Sequence, residues 1–562
     1  MTHGASLGEA RNSATPGGPI SPALAALAAA AALPPPEPVP SVVYRSRGRT
    51  LVVGPANEVL PRAGELAATL PVTALVTDGT AGRAAPALTV LCGRPVEAHG
   101  YLGNFTVRWE PDAPLEASER PRSAVFDLIL DLGEAPLFTM PQPPQGYFAP
   151  GRDERAVRAA LEEIREAVGE FDKPKYFLYD ASICAHSRCG LEGCDRCIEV
   201  CSTRAISAAG DRVGVDAHLC MGCGGCATVC PSGAMSYAFP KVDYQGDRIR
   251  AMLEAFHAAG GRAACLLLHD GSAARLIEAL EQRAAVPERV IALPVHHIAS
   301  VGLDLALGAI VLGANQCLVL SAATEPEAYR TALSQQLEYG RLLLEALGYG
   351  SRHLGLVVAT DAAALEDALR ALEPAEHCPP PAKFRLFDRK RTTLWFAIDH
   401  LAAHAPAPGE AVQMPAGAPF GAVRVNRESC TLCMACVGTC PENALLDGRD
   451  RPQLRFVEAN CVQCGLCERA CPEDAISLVP RVALGADAKR EVVLNEDTPF
   501  RCIRCGKEFA ATRVIDRMVG RLVEHPMFSS PEALRRLRMC ADCRVVDLMQ
   551  GRDEVSIFDL KP

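Results

Sequence analysis

Apolar residues in the first part of the chain occur in short runs separated by polar stretches. The run Thr50 to Gly54 predicts a strand, Glu65 to Leu70 a helix, and Thr73 to Thr77 the next strand. Phe126 to Leu132 predicts another buried strand. This alternation of strand and helix indicates a small α/β domain with a parallel sheet over 45–150.

The alternation is more regular in the middle of the chain. The apolar pattern predicts strands at Arg262 to His269, Arg289 to Leu293, Gln316 to Leu320 and Leu354 to Val358, alternating with helices at Ser272 to Ala284, Val301 to Leu312 and Glu325 to Leu347. Parallel strands need crossover connections, which are usually helices. We therefore expect a second small α/β domain over 250–380, with a parallel sheet and helices on both faces. Residues 381–420 are predicted to be a linker.

The first 44 residues are rich in alanine and proline. The run Pro22 to Leu33 is mostly alanine, and it is too short to span a bilayer, which takes about 20 apolar residues. It lacks the basic region and the twin arginine of export signals. We expect a flexible or loosely helical tail over 1–44, no membrane span, and a cytoplasmic protein whose thiols stay reduced.

All but four of the 25 cysteines fall into three groups. The most regular group repeats the spacing C-x2-C-x2-C-x3-C-P, which is the pattern of a bacterial two-cluster ferredoxin. In that pattern the fourth cysteine of each run binds the other cluster. We therefore predict a module over 421–485 whose first cluster is bound by Cys430, Cys433, Cys436 and Cys471, and whose second cluster is bound by Cys440, Cys461, Cys464 and Cys467.

An earlier group predicts a less regular module of the same kind over 172–245. Its predicted ligands are Cys194, Cys197, Cys201, Cys220, Cys223, Cys226 and Cys230, with either Cys184 or Cys189 as the first. Asp180 lies four residues before Cys184, as Asp216 does before Cys220, and this register favours Cys184. Residues 185–193 would then be an insertion. Ser202 stands where proline usually follows the fourth cysteine, which removes a stiffening residue but no ligand.

The last cysteine group predicts a metal-binding domain over 495–562. It consists of two C-x2-C pairs, Cys502 with Cys505 and Cys540 with Cys543, separated by a largely helical segment. Four sulfur ligands suit a tetrahedral Zn²⁺ or a single iron. The long helical insertion favours zinc in a zinc-ribbon-like domain, and iron remains the alternative.

Composition and charge limit the functions that this chain can have. The net charge of −10 and the pI near 5.8 argue against nucleic-acid binding, because no basic stripe is available to neutralise phosphates. A disulfide framework belongs to short secreted chains, and this chain has 562 residues. Cys265, Cys317 and Cys378 are isolated, so we expect structural roles for them. We expect the same of His296 and His297, which have no ligand partner nearby in sequence.

Parts of the chain resemble known families. The segment His99 to Val107 is similar to the stretch that precedes the ferredoxin motifs in the A-type subunit of heterodisulfide reductase. The central region resembles the delta subunit of methyl-viologen-reducing hydrogenase at Glu288 to Ile291, Ala309 to Ala314 and Leu342 to Gly348, but it lacks that family's cluster cysteines. The order of parts resembles a proteobacterial family of 4Fe-4S binding proteins associated with formate dehydrogenase systems, which implies formate dehydrogenase as a redox partner.

These patterns predict a multidomain protein of α/β and α+β class, with two two-cluster ferredoxin modules, two small parallel α/β domains and a zinc-ribbon-like domain. The predicted function is electron transfer between redox proteins, with two cluster pairs separated by the central domain. No nucleophile with a base, open metal site or phosphate loop is apparent, so we expect an electron-transfer component rather than a stand-alone enzyme. The alternative is an accessory or redox-sensing protein that serves maturation or regulation of a metal-dependent dehydrogenase.

Overall fold

The computed structural model describes residues 21–79, 88–111 and 122–550. Part of the predicted tail is ordered: residues 22–31 form a helix and residues 41–44 belong to a strand. The expectation of a flexible tail is therefore wrong for these residues, although the helical alternative describes 22–31. Helix α1 (Pro22–Ala31) packs on the central domain, where Ala26 is fully buried. Strand β1 (Ser41–Ser46) pairs antiparallel with residues Gly169–Pro174. Small alanine side chains let the helix approach its partner closely, and the pattern of the segment alone does not reveal that partner. Residues 1–20 lie outside the described part.

The N-terminal domain contains one seven-stranded sheet with two helices on one face. Its elements are β2 (Thr50–Gly54), α2 (Ala56–Leu66), β3 (Val72–Val76), β4 (Leu88–Tyr101), β5 (Asn104–Pro111), β6 (Arg122–Phe126), β7 (Leu128–Asp131), β8 (Tyr147–Phe148) and α3 (Glu154–Glu166). The strand order is β6-β5-β4-β3-β2-β7-β8. Strands β2, β3, β4, β7 and β8 are parallel, but β5 is antiparallel to both β4 and β6. The sheet is therefore mixed, and the prediction of a parallel sheet here is wrong.

The first cysteine-rich module is built from short strands and two short helices. They are β9 (Gly169–Pro174), β10 (Phe177–Tyr179), β11 (Ser187–Arg188), β12 (Leu191–Glu192), α4 (Arg196–Glu199), β13 (Ile206–Ala209), β14 (Arg212–Val215), α5 (Gly225–Val229) and β15 (Met235–Tyr237). Strand β10 pairs with β15, and β13 pairs with β14. The predicted insertion at 185–193 forms the two-stranded hairpin β11-β12.

The central domain confirms the predicted parallel sheet. Its elements are α6 (Val242–Ala258), β16 (Cys265–His269), α7 (Gly271–Gln282), β17 (Val290–Pro294), α8 (Leu303–Val311), β18 (Gln316–Ala322), α9 (Glu327–Ala346), β19 (Leu354–Ala359) and α10 (Ala362–Arg370). The strand order is β17-β16-β18-β19, and every pair is parallel. Alternate residues of β16 face opposite cores: Leu266 packs with α6 and α8, and Leu267 packs with α7 and α10. Helices therefore cover both faces.

The predicted linker over 381–420 instead contains a helix, α11 (Lys390–Ala403), and the short strand β20 (Ala411–Gln413). Leu394, Trp395, Ile398 and Leu401 of α11 are buried in the core that it shares with α8. These apolar residues recur at helical spacing and provide the packing that stabilises the helix. The linker prediction is therefore wrong.

The second cysteine-rich module and the C-terminal domain complete the chain. Their elements are β21 (Gly421–Val425), α12 (Ala435–Thr439), β22 (Leu445–Asp447), β23 (Gln453–Phe456), α13 (Leu466–Arg469), β24 (Ile476–Ala483), β25 (Val492–Glu496), β26 (Pro499–Arg501), β27 (Glu508–Ala511), α14 (Thr512–Leu522), α15 (Pro531–Arg536) and α16 (Ala541–Gln550). Strand β24 pairs with β20 and β21, and β23 pairs with β22 and β25. None of the helices in the described ranges combines the length and apolar character needed to span a bilayer.

Candidate metal centres

The second module arranges its eight motif cysteines around two small cavities. One cavity is lined by set A, which we define as Cys430, Cys433, Cys436 and Cys471. The other is lined by set B, which is Cys440, Cys461, Cys464 and Cys467. In each set one cysteine comes from the opposite motif, as the sequence pattern predicts. That these cysteines bind clusters remains a prediction, and their convergence on a shared cavity supports it.

In each motif, residues with a left-handed backbone conformation lie between the closely spaced cysteines that line one cavity. Leu432 and Met434 have φ values of 58° and 60°, and Gln463 has a φ of 54°. Such a conformation is uncommon for residues with a side chain, and each instance costs about 1–3 kcal/mol. Strain of this kind persists where the surrounding structure enforces it, and it concentrates at functional sites. The repeated strain in both loops is consistent with a bound group that stabilises them.

Backbone amides donate hydrogen bonds to the fourth cysteine of several motifs. The amide of Ala444 donates to Cys440 Sγ at 3.2 Å, and the amide of Ala475 donates to Cys471 Sγ at 3.3 Å. In the first module the amide of Met235 donates to Cys230 Sγ at 3.3 Å. A hydrogen bond to the charged form of a group stabilises that form, so these amides favour thiolates. Thiolate is the form of cysteine that binds metals.

The first module also contains two groups of neighbouring cysteines. Set C consists of Cys184, Cys194, Cys197 and Cys230. Burial raises the pKa of the Cys197 thiol, and the charges of Cys230, Cys194 and Cys184 raise it further. Set D consists of Cys201, Cys220, Cys223 and Cys226. Burial raises the pKa of the Cys223 thiol to about 11, to which the charges of Cys220 and Cys201 also contribute.

Cys184 lies in a position that suits a cluster ligand, and Cys189 does not. Cys184 is buried against other residues of the module, including Cys197, Cys201 and Cys230. Cys189 is exposed, and its backbone amide donates to Asp211 Oδ2 at 3.2 Å. Asp211 also accepts from Ser187 Oγ, so it fastens the inserted hairpin. The choice of Cys184 as a ligand remains a prediction, and this geometry favours it.

Ser202, which stands where the motif usually has proline, connects set D to two other domains. Its hydroxyl donates to Gln142 Oε1 at 2.9 Å, and it also forms a short hydrogen bond with Tyr329 Oη. Gln142 belongs to the N-terminal part of the chain and Tyr329 to α9. A proline here could not form these contacts, which gives a structural reason for the departure from the motif.

The burial of the thiols is a further reason why these sets suit iron–sulfur clusters. Burial raises the pKa of Cys226 and Cys467, and the charges of neighbouring cysteines raise it further. Several thiols confined together would therefore stay protonated if no cation were bound. Metal coordination removes the thiol proton outright and compensates the clustered negative charge. The residues present therefore fit the group that the motifs predict.

The C-terminal domain brings together the third group of cysteines. The sulfur atoms of these four residues all lie within 4.8 Å of one another, and the residues are Cys502, Cys505, Cys540 and Cys543. Desolvation raises the pKa of Cys502, but backbone amides, among them those of Cys505 and Cys540, outweigh it and lower the pKa to about 6. The site therefore favours a thiolate and a bound cation. Four sulfurs suit zinc, although the identity of the metal remains a prediction.

The two modules touch each other directly, beside sets B and C. Burial raises the pKa of Cys464 in set B to about 12, and the charges of Cys440, Cys461 and Cys194 of set C contribute. Leu466 packs against Gly193, and Arg469 donates to the carbonyl oxygen of Glu192. The expectation that the central domain separates the two cluster pairs is therefore wrong. The central domain packs beside the junction, and the modules meet although the contacting residues Glu192 and Arg469 are 277 positions apart.

Two adjacent residues at the start of α11 bind both modules. Lys390 Nζ donates to the carbonyl oxygens of Ala227 and Thr228, at 2.8 and 2.6 Å. Arg391 donates to the carbonyl oxygens of Pro419, Ala459 and Cys461, at 2.6, 2.6 and 3.2 Å.

Neither Lys390 nor Arg391 is among the functional residues predicted from the sequence, because both fall in the predicted linker. The helical spacing of Leu394, Ile398 and Leu401 is the signal that indicates a helix there. The carbonyl groups that the two cations bind lie far away along the chain, so no local pattern points to them.

Arg391→Ala is expected to destabilise the packing of α11 on the second module by about 3 kcal/mol. The substitution removes three hydrogen bonds from a charged donor, each worth about 1.5–3 kcal/mol, and relaxation would recover part of that loss. It also removes the stacking of the guanidinium on Phe420, whose ring centroid lies 4.9 Å away. We expect the apparent Tm of the iron-loaded protein to fall by about 5 °C or more. Arg389→Ala, at an exposed neighbouring position, is the control. Equal Tm values for the two variants would contradict this role of Arg391.

The N-terminal domain contacts the first module beside set D. The Tyr101 ring stacks on His218, with ring centroids 4.2 Å apart. Lys173 Nζ donates to the carbonyl oxygens of His218 and Cys220, both at 2.7 Å. Burial lowers the pKa of Lys173 to about 8, although the charges of Cys220 and Asp216 oppose that shift. The hairpin that contains His99 to Val107 therefore packs on set D.

Two family models agree with the cysteine arrangement. A model described as a 4Fe-4S dicluster domain matches residues 429–476, and another with the same description matches residues 170–234. The chain therefore contains two 4Fe-4S dicluster domains, in a protein of mixed α/β architecture. No curated protein matches the chain.

Proposed function

We propose that this protein transfers electrons, and that sets A, B, C and D hold four 4Fe-4S clusters. When bound, a 4Fe-4S cluster supplies one-electron redox chemistry, at a potential that the surrounding protein adjusts. The observation that carries the proposal is the contact between the two modules beside sets B and C, where Arg469 donates to the carbonyl oxygen of Glu192 and Leu466 packs against Gly193. It joins two dicluster domains into one continuous array in the spatial order A, B, C and D.

The residues between neighbouring sets support close spacing within the array. Cys467 of set B and Cys436 of set A lie close enough for their charges to interact. The same holds for Cys226 of set D and Cys197 of set C. Leu466 packs against Gly193 at the B–C junction, where a Cβ on the glycine would lie only 3.0 Å from Leu466 Cγ. The junction therefore depends on a small residue at position 193, and it brings the two modules close together.

Set A provides the more accessible end of the array. Cys433 is exposed, and helix α14 lies beside the loop that carries Cys430. Arg517 and Arg521 of this helix both pair with Glu473 at 2.9 Å. We propose that a redox partner docks at this end. Formate dehydrogenase is the first partner to test, because the order of the chain's parts resembles proteins associated with formate dehydrogenase systems.

The proposal is tested by rapid mixing of the reduced, iron-loaded protein with candidate acceptor proteins. We expect reoxidation at the rate of enzyme turnover, and iron analysis should give about 16 iron atoms per chain. Cys464→Ala, which alters set B at the junction, should remove most of the fast reoxidation of the first module. Cys189→Ser is the matched control, and it should behave as the unaltered protein does.

Two results would contradict the relay. Stoichiometric binding of a partner without electron exchange would instead favour an accessory or redox-sensing role in dehydrogenase maturation or regulation. About 8 iron atoms per chain would show that only one dicluster domain is filled. The continuous array would then be wrong, even if the remaining module exchanged electrons.

A further inference from the structure

Three side chains of types that can bind metals meet at the carboxyl edge of the central sheet. Asp270 follows β16, His297 follows β17, and Glu325 follows β18. These strands are neighbours and run parallel, so their carboxyl ends lie together. One ligand atom from each of the three residues lies within 4.8 Å of the other two. From the sequence, His297 is predicted to have a structural role, because no carboxylate lies near it along the chain. Asp270 and Glu325 approach it only in the folded protein.

The spacing of these groups leaves room for an ion. His297 Nδ1 lies 3.7 Å from Asp270 Oδ2, and His297 Nε2 lies 3.7 Å from Glu325 Oε2. Both distances exceed those of protein hydrogen bonds, which are about 2.7–3.2 Å. His297 Nδ1 accepts a hydrogen bond from the amide of Ala299 at 3.1 Å. A metal ion at about 2.0–2.2 Å from each ligand would therefore require a rotation of the imidazole that releases this bond.

The surroundings hold the ligands in place and exclude most water. The side chains of Asp270, His297 and Glu325 are 4%, 18% and 10% exposed. Asp270 Oδ2 accepts from the amide of Ile298 at 2.9 Å, and Oδ1 accepts from the amide and hydroxyl of Ser272. Two carboxylates buried side by side repel each other, which costs free energy unless a proton or a cation compensates the charge.

Protonation behaviour agrees with this geometry. Burial lowers the pKa of His297, so its ring is neutral near pH 7, which is the form that binds metals. Burial raises the pKa of Glu325, and the charge of Asp270 raises it further. A bound cation would offset the mutual repulsion of these two carboxylates.

We propose that Asp270, His297 and Glu325 bind one divalent first-row transition-metal ion. One imidazole and two carboxylates are hard or borderline donors, which suit Mn²⁺, Fe²⁺ or Zn²⁺ rather than an iron–sulfur cluster. This site is separate from the cysteine sets, and the proposal does not depend on electron transfer.

The site lies directly against the loop of set D. The ring of His297 contacts the ring of Tyr329 with centroids 5.3 Å apart, and Tyr329 is hydrogen-bonded to Ser202 beside Cys201. Thr228 Oγ1, from the helix that carries Cys226, donates to the carbonyl oxygen of Ala299 at 2.6 Å. A metal ion here would place positive charge beside the set D end of the array.

The test is a titration of the EDTA-dialysed, iron-loaded protein with Mn²⁺. Free Mn²⁺ is measured by room-temperature electron paramagnetic resonance, and Mn²⁺ is chosen because it favours oxygen and imidazole ligands over thiolates. We expect one bound Mn²⁺ per chain. His297→Gln and Glu325→Gln should each weaken binding at least about tenfold, since even residues that only support metal ligands contribute about 10- to 100-fold. Asp270→Asn is avoided because that carboxylate also caps α7.

His296→Gln provides the matched control. His296 is adjacent in sequence, but its ring stacks on Tyr176 with centroids 4.9 Å apart, and it is not part of the ligand group. It should bind Mn²⁺ as the unaltered protein does, while circular dichroism establishes that all the variants are folded. Absence of bound Mn²⁺, or unaltered affinity in folded Glu325→Gln and His297→Gln proteins, would overturn the proposal.

Discussion

Cys184→Ser is expected to remove about four iron atoms from a total of about 16 per chain, whereas Cys189→Ser should remove none. Set C would keep only Cys194, Cys197 and Cys230, because the hairpin places the alternative thiol of Cys189 on the surface. Serine is a poorer ligand than thiolate for iron in such clusters. The measurement is iron content per chain, together with the low-temperature electron paramagnetic resonance spectrum after reduction.

The pair of variants gives a sharp contrast because each replaces one sulfur atom by oxygen in the same loop. Both variants should remain folded, and sets A and B should be unchanged. Loss of a cluster with Cys189→Ser alone would overturn the choice of Cys184. It would also mean that the hairpin β11-β12 rearranges when iron binds.

Cys540→Ser is expected to abolish metal binding in the C-terminal domain and to unfold that domain locally. Among the described residues, the buried apolar cluster at the metal ligands consists of Cys502, Met539 and Cys540. Elsewhere in the domain Ala511, Ile515 and Leu537 are buried, and helix α16 contributes no buried residue. Such a small core cannot stabilise a fold alone, so metal binding must provide much of the folding free energy. Structural Zn²⁺ sites in small domains contribute about 10–16 kcal/mol.

Limited proteolysis combined with zinc and iron analysis would measure this effect. We expect rapid cleavage within 499–550, the loss of about one zinc atom per chain, and unchanged iron content. Cys378→Ser is the control, because Cys378 is an exposed cysteine outside all the sets. Zinc content and protease resistance equal to those of the control would contradict the proposed role of the metal.

The ligand motifs and the central sheet can be predicted because both depend on local patterns. In sets A and B, three cysteines lie within seven consecutive residues, so one loop brings them together. In the central domain, continuous apolar runs such as Leu266 to Leu268 predict β16, and all four strands are parallel as expected. The strand and helix ends differ from the predicted ones by a few residues, because the ends of an element depend on capping contacts.

Predictions from the sequence fail where an element is stabilised mainly by distant partners. Helix α1 has an alanine-rich surface, and its order comes from packing on α6, more than 200 residues away. The antiparallel edge of the N-terminal sheet depends on pairing between β4, β5 and β6. The sequence predicts a linker where α11 forms, because neighbouring prolines and polar residues obscure the apolar spacing of this helix.

The sequence by itself determined the type of chemistry, since cysteine spacing specifies which ligands one short loop can bring to a metal centre. Only the tertiary structure decided how the centres are arranged. The proximity of Cys464 and Cys194, the attachment of both modules to α11 and the grouping of Asp270 with His297 and Glu325 all join distant segments. Such contacts arise from domain packing and strand order, for which no short-range pattern exists. For that reason, two motif pairs far apart along the chain lie in adjoining modules of the folded protein.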